Sequence, residues 1–384
     1  MKRIIVIGAG PSGMMAAISA KFHQRDSEVV LLEKNNELGR KLKLTGGGRC
    51  NVTADVKIET VLDHVPKNSK FLYSCLNEFG PEDIQTFFSK HGLKLKIEDH
   101  KRVFPASNNA QDVVMTLRNV LIKSGVLIKL QTNVTDIDYE KQIVKTERLD
   151  YHYSSLIIAT GGIILPQTGS SGDGHRFALK MGHVITDLKP AEVPLVSNAS
   201  FIQTKILQGL TFFDVDLTVF SNNKVVKRLT HDLIFTHFGL SGPGALRLSY
   251  EVISSIEKNK KVEIEINFLN KFIRDEKLTL LQDLVAQNIP KRLIHFIQKD
   301  AKNEQELLDR LTSFRVPIVE TRGFKHAFVT NGGIDLKLIN PKTMKSKMNT
   351  TVSFCGEVID INAYTGGYNI TVAFSTGFVA GKYA

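Results

Sequence analysis

Apolar residues fall in two rhythms along this chain, and their order predicts its architecture. Ile4-Ile5-Val6-Ile7 is a continuous apolar run of the kind a strand buried on both faces requires. From Ser12 to about His23 small and apolar residues follow at helical spacing, and Val29-Val30-Leu31-Leu32 is a second buried-strand run ending at Glu33. Strand, helix and strand in that order predict a parallel βαβ unit. Helices are predicted over 81–91 and 110–124, a strand over 126–130, a short meander over 136–153, and a buried strand from residue 155 that ends in the turn Gly161-Gly162. A glycine patch at 169–174 opens another helix, through Met181.

The pattern changes near Val193. Strand-like runs at 210–220 and 225–229 flank Ser221-Asn222-Asn223-Lys224, a hairpin signal, and 262–269 alternates charged and apolar residues. Helices are predicted over 276–287, 290–299 and 304–314. The last segment returns to glycine-rich turns, with Val352-Ser353-Phe354 running into Gly356-Glu357, then Gly366-Gly367-Tyr368-Asn369 and an apolar helix to about residue 380 with Asn369 at its N-cap. A chain of 384 residues exceeds one core, so we divide it into a first segment 1–193, a β-rich insert 194–325 with a helical cap (helices at about 270–314), and a completing segment 326–384.

The turn after the first strand is Gly8-Ala9-Gly10-Pro11-Ser12-Gly13, a G-x-G-x-x-G placed between strand and helix. In that context Gly8 permits the tight turn, Gly10 lets backbone approach a pyrophosphate, and Gly13 lets the helix lie close to the strand. Pro11 suits a first helical turn, where its missing N–H has no partner to lose. Glu33 stands where a ribose hydroxyl acceptor belongs, which favours FAD or NAD over NADP, and Lys34 beside it weakens that exclusion. Gly39-Arg40-Lys41 leads into Thr45-Gly46-Gly47-Gly48-Arg49-Cys50-Asn51, and three successive glycines fit backbone lying against a flat ligand better than a helix or strand. The 169–174 patch lacks a complete second fingerprint and reads as another wall of the same nucleotide site. A simple NAD dehydrogenase has no need of a late segment returning to the cofactor. A flavoenzyme does, because a helix N-terminus stabilises negative charge on the reduced ring.

Composition narrows the class. Hydrophobic residues make up 42% and charged residues 23%, as in ordinary globular proteins, and no apolar run reaches the about 18 residues of a membrane span. Lys2-Arg3, an apolar run and Ser19-Ala20 mimic a signal peptide, but glycines interrupt the run, so a cytoplasmic location is expected. Three cysteines without a C-x-x-C pair give neither a metal site nor the dithiol of a disulfide reductase. The net charge of +11 attracts anionic cofactors; it is spread along the chain, Trp is absent, and nucleic acid is not expected as a partner.

These motifs, with Ala159-Thr160-Gly161-Gly162, Thr236-His237-Phe238-Gly239-Leu240-Ser241-Gly242-Pro243 and Thr343-Met344-Lys345-Ser346-Lys347, give a chain that resembles the BaiN-like, aminoacetone-oxidase-like family of bacterial FAD-dependent flavoproteins nearly end to end. The resemblance implies an α/β fold: a glutathione-reductase-like, Rossmann-type FAD-binding domain with an inserted β-barrel-like domain carrying a small helical subdomain. It implies non-covalent FAD, with Glu33 on the adenine ribose, Arg40 and Lys41 near ribose or phosphate, Thr45 through Asn51 beside the flavin, the Val134 backbone at adenine, and Gly356, Glu357, Gly367, Asn369 and Ile370 around pyrophosphate and ring. Ala54 stands where the family commonly has Asn, and Ile370-Thr371-Val372 replaces a Leu-Gln-Trp-like run, so the resemblance carries the cofactor and not the substrate. The expected activity is hydride transfer between a small organic substrate and flavin, turned over by NAD(P)H or oxygen, with His237 the candidate proton carrier. An RNA-modifying flavoprotein and a non-enzymatic FAD module are the alternatives.

Overall fold

A computed structural model describes residues 2–269 and 289–384. The helix expected over 276–287 lies outside the described residues. The chain forms two compact units, Met1–Lys189 with Val329–Ala384, and Pro190–Phe328. The second unit is therefore an insertion into the first.

The first unit is built on a five-stranded parallel sheet in the order Val352–Phe354, Ser155–Ile158, Arg3–Ile7, Glu28–Leu32, Leu127–Lys129. Ile4 pairs with Val29 on one side and Ser155 on the other, and Ile4, Ile5 and Val6 are wholly buried, as the unbroken apolar run requires. From the central strand the chain first builds outward through 28–32 and 127–129, then returns to the opposite side. The order reverses between Arg3–Ile7 and Ser155–Ile158, and a crevice opens at the carboxyl ends of strands at such a point.

The Pro11–His23 helix is buried from Ser12 through Ala20, because the sheet covers one side and the C-terminal helix, Tyr368–Lys382, the other. Glycine sets how closely the two helices meet. A Cβ on Gly377 would lie 2.2 Å from the Ser12 carbonyl oxygen, and one on Gly381 2.2 Å from that of Ala16. Ser19 Oγ also donates to the Phe378 carbonyl oxygen at 2.6 Å. The Ala110–Lys123 helix starts where expected and is capped by Asn109, whose Oδ1 accepts from Gln111 N at 3.0 Å. The meander forms three antiparallel strands, Val134–Asp138, Ile143–Thr146 and Asp150–His152. Two short helices, Ile58–Asp63 and Tyr73–Glu78, were not anticipated, since neither is long enough to show a periodic face.

The second unit carries one seven-stranded antiparallel sheet, in the order Phe314–Ile318, Val262–Asn267, Thr211–Ser221, Lys224–Phe235, Gly239–Ser241, Leu195–Val196, Glu320–Thr321. The long hairpin turns at Asn222 and Asn223, both with positive φ (48° and 62°), the geometry that matches strand twist. Helices occupy Lys291–Gln298 and Glu304–Thr312. The helix expected to reach Phe314 stops at Thr312, because Phe314 pairs with Ile266 and packs against Phe235, Phe268 and Phe296. A 15-residue helix, Gly242–Ile256, went unread in the sequence although Pro243 stands in its first turn.

Gly377→Val would put a branched Cβ 2.2 Å from the Ser12 carbonyl oxygen. Overpacking of this kind costs about 1–3 kcal/mol, so the urea midpoint should fall accordingly at unchanged slope. An unshifted midpoint would contradict the close helix approach.

Candidate functional site

The three fingerprint glycines differ in what surrounds them. Gly8 holds φ +99°, and a Cβ there would lie 2.6 Å from the Ala159 carbonyl oxygen. A Cβ on Gly13 would lie 1.8 Å from the Gly8 carbonyl oxygen, so the helix packs directly on the turn. Above Gly10 there is open space, with no atom within 4 Å of a would-be Cβ. Gly10 is the N-cap of the Pro11–His23 helix, no side chain caps that end, and Ser12 is buried in the first turn. Unpaired N–H groups beneath an open space are what an anionic group needs.

Glu33 is buried, and its acceptor sites are largely engaged. Oε2 accepts from Ala9 N at 2.7 Å, and Oε1 accepts from Asn35 N and Nδ2, both at 2.8 Å. A carboxylate offers about four acceptor positions, which leaves one for a hydroxyl. The 131–134 segment lies alongside, with Thr132 N donating to Glu33 O at 2.9 Å just before buried Val134. Lys34 reaches Asp173 Oδ2 at 2.7 Å, and Asn35 Nδ2 reaches Thr168 O at 2.9 Å, so the second glycine patch is stitched to the end of the Glu28–Leu32 strand. Gly161 has φ +75°, and a Cβ on Gly174 would lie 2.1 Å from Thr160 Oγ1, a buried hydroxyl without a hydrogen-bond partner.

The basic residues are met from within the protein. Arg40 is exposed and donates to Asn35 Oδ1 at 3.2 Å. Lys41 pairs with Glu357 Oε2 at 2.7 Å, and Glu357 Oε1 accepts from Thr330 N at 2.7 Å. Thr330 Oγ1 in turn accepts from Ile163 N at 3.0 Å, so a residue with no signature in the sequence ties three segments together. Arg49 donates to both Glu98 oxygens, at 3.1 and 3.0 Å, and lies 4.0 Å over the Phe104 ring.

Gly46, Gly47 and Gly48 are successively left-handed, at φ 57°, 66° and 86°, after Thr45 ends its own turn by donating to Leu42 O at 2.7 Å. Gly47 and Gly48 face open space. Cys50 is also left-handed (φ 60°) and fully buried, and burial pushes its thiol up to about 12, offset in part by a hydrogen bond with Thr45. Such a thiol is not a nucleophile near neutral pH.

Asn51 is buried and its Oδ1 has no hydrogen-bond partner. The N-terminus of the C-terminal helix is pressed against it: a Cβ on Gly367 would lie 2.6 Å from the Thr53 carbonyl oxygen and 2.9 Å from Asn51 Oδ1. Thr53 and Thr371 share a hydroxyl hydrogen bond of 2.8 Å. The N-cap is Gly367 (φ +98°) and not Asn369 as expected, because the left-handed turn starts the helix at Tyr368. Asn369 instead clips the preceding loop, its Oδ1 accepting from Ala363 N at 2.8 Å and its Nδ2 donating to Ala363 O. Ile370 follows in the same uncapped first turn. Gly356 has φ +76°, donates from N to Thr376 Oγ1 at 3.0 Å, and has Ser12 Oγ 2.3 Å from where a Cβ would sit. His237 lies in the second unit, exposed and edge-on to Phe238 with ring centroids 5.0 Å apart.

This set fits FAD. One uncapped helix end and an open glycine suit a pyrophosphate, a buried carboxylate suits a ribose diol, and an exposed left-handed glycine run suits a flat ring. The orphaned Asn51 oxygen lies beside a second uncapped helix end, as the ring's polar edge requires.

The profile of the HI0933-like protein Rossmann domain matches residues 2–383. The ribosomal RNA dihydrouridine synthase of Escherichia coli (strain K12) is 28% identical over 395 residues, covering 98% of this chain and 96% of that protein. The 3-dehydro-bile acid delta(4,6)-reductase of Clostridium scindens is 26% identical over 412 residues, covering 100% of this chain and 99% of its own. Among solved structures, the 3-ketosteroid delta1-dehydrogenase from Sterolibacterium denitrificans is similar at a TM-score of 0.53 and 12% identity, covering 99% of each chain. The open conformation of a flavocytochrome c3 fumarate reductase is similar at 0.52 and 14%, covering 100% of this chain and 78% of that one. The structural likenesses concern the fold.

Gly10→Ala should fold with wild-type stability, since its backbone (φ −73°) and surroundings accept a methyl, yet bind FAD at least tenfold more weakly. Gly13→Ala should lose stability as well. Equal FAD affinity in Gly10→Ala, read by flavin fluorescence titration, would remove the pyrophosphate from this turn. With Cys50 held as a thiol, acid precipitation should release all flavin into the supernatant.

Proposed function

Because this chain belongs to the HI0933-like Rossmann-domain family of FAD-dependent oxidoreductases, we propose that it reduces a carbon–carbon double bond conjugated to a carbonyl, with FAD held in the first unit and NAD(P)H as the electron source. The observation that carries the cofactor assignment is the meeting of the Gly367 helix end with Asn51, whose buried oxygen has no protein partner. FAD supplies hydride transfer to and from its ring when bound. The residues divide the remaining work. N–H groups of the Gly10 turn hold the pyrophosphate, and Glu33 accepts from the ribose. Gly46 through Gly48 provide a backbone floor, and Asn51 with the first turn at Tyr368, Asn369 and Ile370 orients the ring's polar edge. That helix end favours negative charge on the reduced ring and so raises its potential.

The substrate class is supported by chemistry common to two relatives. Making dihydrouridine saturates a ring double bond conjugated to a carbonyl, and a delta(4,6)-reductase acting on a 3-dehydro bile acid reduces double bonds conjugated to a 3-oxo group. Hydride adds to the carbon distal to the carbonyl, and a proton follows at the proximal one.

A second reading places that double bond in a uridine of RNA instead of a free small molecule. The net charge of +11 supports it, as does 28% identity across 98% of this chain to a ribosomal RNA dihydrouridine synthase.

The test is anaerobic mixing. NADH or NADPH should bleach the flavin band in a single turnover, and colour should return on adding either a Δ4-3-oxosteroid or unmodified ribosomal RNA. Reoxidation by RNA with formation of dihydrouridine selects the second reading. No bleaching by either nucleotide, or colour return with oxygen alone, overturns the reductase assignment.

A further inference from the structure

The second unit presents an exposed aromatic and cationic surface that cofactor binding does not use. At its base, the turn at residues 236–239 is fixed by Gly239 N donating to Thr236 Oγ1 at 3.1 Å and Ser197 N donating to Phe238 O at 2.9 Å. Gly239 admits no side chain there, since a Cβ would lie 2.2 Å from the Leu195 carbonyl oxygen. Facing this turn is the 322–328 segment. Gly323 (φ +63°) ends the Glu320–Thr321 strand and starts a single 3-10 turn, Phe324–His326. Backbone bonds fix both ends, Arg322 N to Pro194 O at 3.0 Å and Phe328 N to Glu192 O at 3.3 Å.

On this hydrogen-bonded backbone aromatic and cationic side chains lie side by side and reach solvent. The Arg322 guanidinium lies 4.4 Å over the Phe238 ring and donates to His326 Nε2 at 2.8 Å, which holds its plane in place. Phe324 is 46% exposed and Phe328 54%, with exposed Lys325 between them. No Asp or Glu occurs from Arg322 to Phe328 or from Thr236 to Pro243. A purely apolar docking face has no need of interleaved cations, and a simple phosphate site has no need of exposed rings. Rings and a stacked guanidinium interleaved with cations are what unpaired nucleobases and their phosphates require.

We propose that residues 236–239 and 322–328 form a stacking platform for single-stranded RNA. The proposal rests on the RNA reading above and adds to it the place where the strand is held. Phe324, Phe328 and the Arg322–Phe238 stack take base faces, and Lys325 takes a phosphate. Duplex RNA, whose bases are already stacked, gains little there.

The test uses FAD-loaded protein and a fluorescently labelled uridine-rich 12-mer, single-stranded or in a duplex, followed by anisotropy. Wild type should prefer the single strand. Phe324→Ala with Phe328→Ala should weaken binding about tenfold or more, with flavin absorbance, thermal melt and salt dependence unchanged. Phe324→Tyr with Phe328→Tyr should restore it. Lys325→Gln should lower the slope of log Kd against log salt by about 0.7, the value of one phosphate contact on a single strand. Phe213, 70% exposed elsewhere on the same unit, provides the control, and Phe213→Ala should bind as wild type does. If wild type binds RNA and the double Ala variant binds equally well, or if duplex is preferred, the platform is wrong while the RNA reading survives. If wild type retains neither RNA, the reading itself falls and the platform with it. A dimer abolished by the double Ala variant would assign the patch to self-association instead.

Discussion

Backbone-to-backbone contact too close for one methyl group governs this protein. Gly13 rests on the carbonyl of Gly8, Gly377 and Gly381 rest on carbonyls of the Pro11–His23 helix, and Gly367 rests on that of Thr53. The Gly367, Gly377 and Gly381 contacts join segments far apart in sequence, the Gly13 contact seats a helix on the turn just before it, and each leaves no room to slide. Side chains pack with some tolerance, but two main chains separated only by hydrogen atoms have one arrangement. The Pro11–His23 and Tyr368–Lys382 helices are thereby fixed to each other without help from any ligand, which is the preorganisation that polar recognition depends on.

Cations near the site are largely neutralised in place. Lys34 has Asp173, Lys41 has Glu357 and Arg49 has Glu98. Partly exposed pairs of this kind contribute about 1 kcal/mol or less to stability. They hold loops together, and the uncapped ends of the Pro11–His23 and Tyr368–Lys382 helices keep backbone amides without a side-chain cap. Fixed dipoles, unlike mobile lysines, need no reorganisation when a nearby charge changes.

Much of this was legible from residue order. An unbroken apolar run, a fingerprint turn and a terminal acid defined the first βαβ, and the three glycines differ in their surroundings, Gly10 open and Gly8 and Gly13 closed. What escaped notice depended on partners distant in sequence. Gly377 and Gly381 read as ordinary members of an apolar helix, since only the folded chain brings Ser12 and Ala16 against them. The Gly242–Ile256 helix was hidden behind a Gly-Pro-Gly start that reads as a turn. Asn369 carried the usual cap residue type, but the left-handed Gly367 begins the helix two residues earlier. The pairing of Arg49 with Glu98, 49 residues on, has no mark in the local sequence.

The insertion of one unit inside another has a consequence for synthesis on the ribosome. The Pro11–His23 helix emerges early, but the face it needs is supplied by Tyr368–Lys382, which follows the whole Pro190–Phe328 unit. At about 5–20 residues per second, that apolar face waits on the order of 10 s or more for its cover. The nascent first unit is therefore a natural client for chaperones until the segment that follows the Pro190–Phe328 unit has been made.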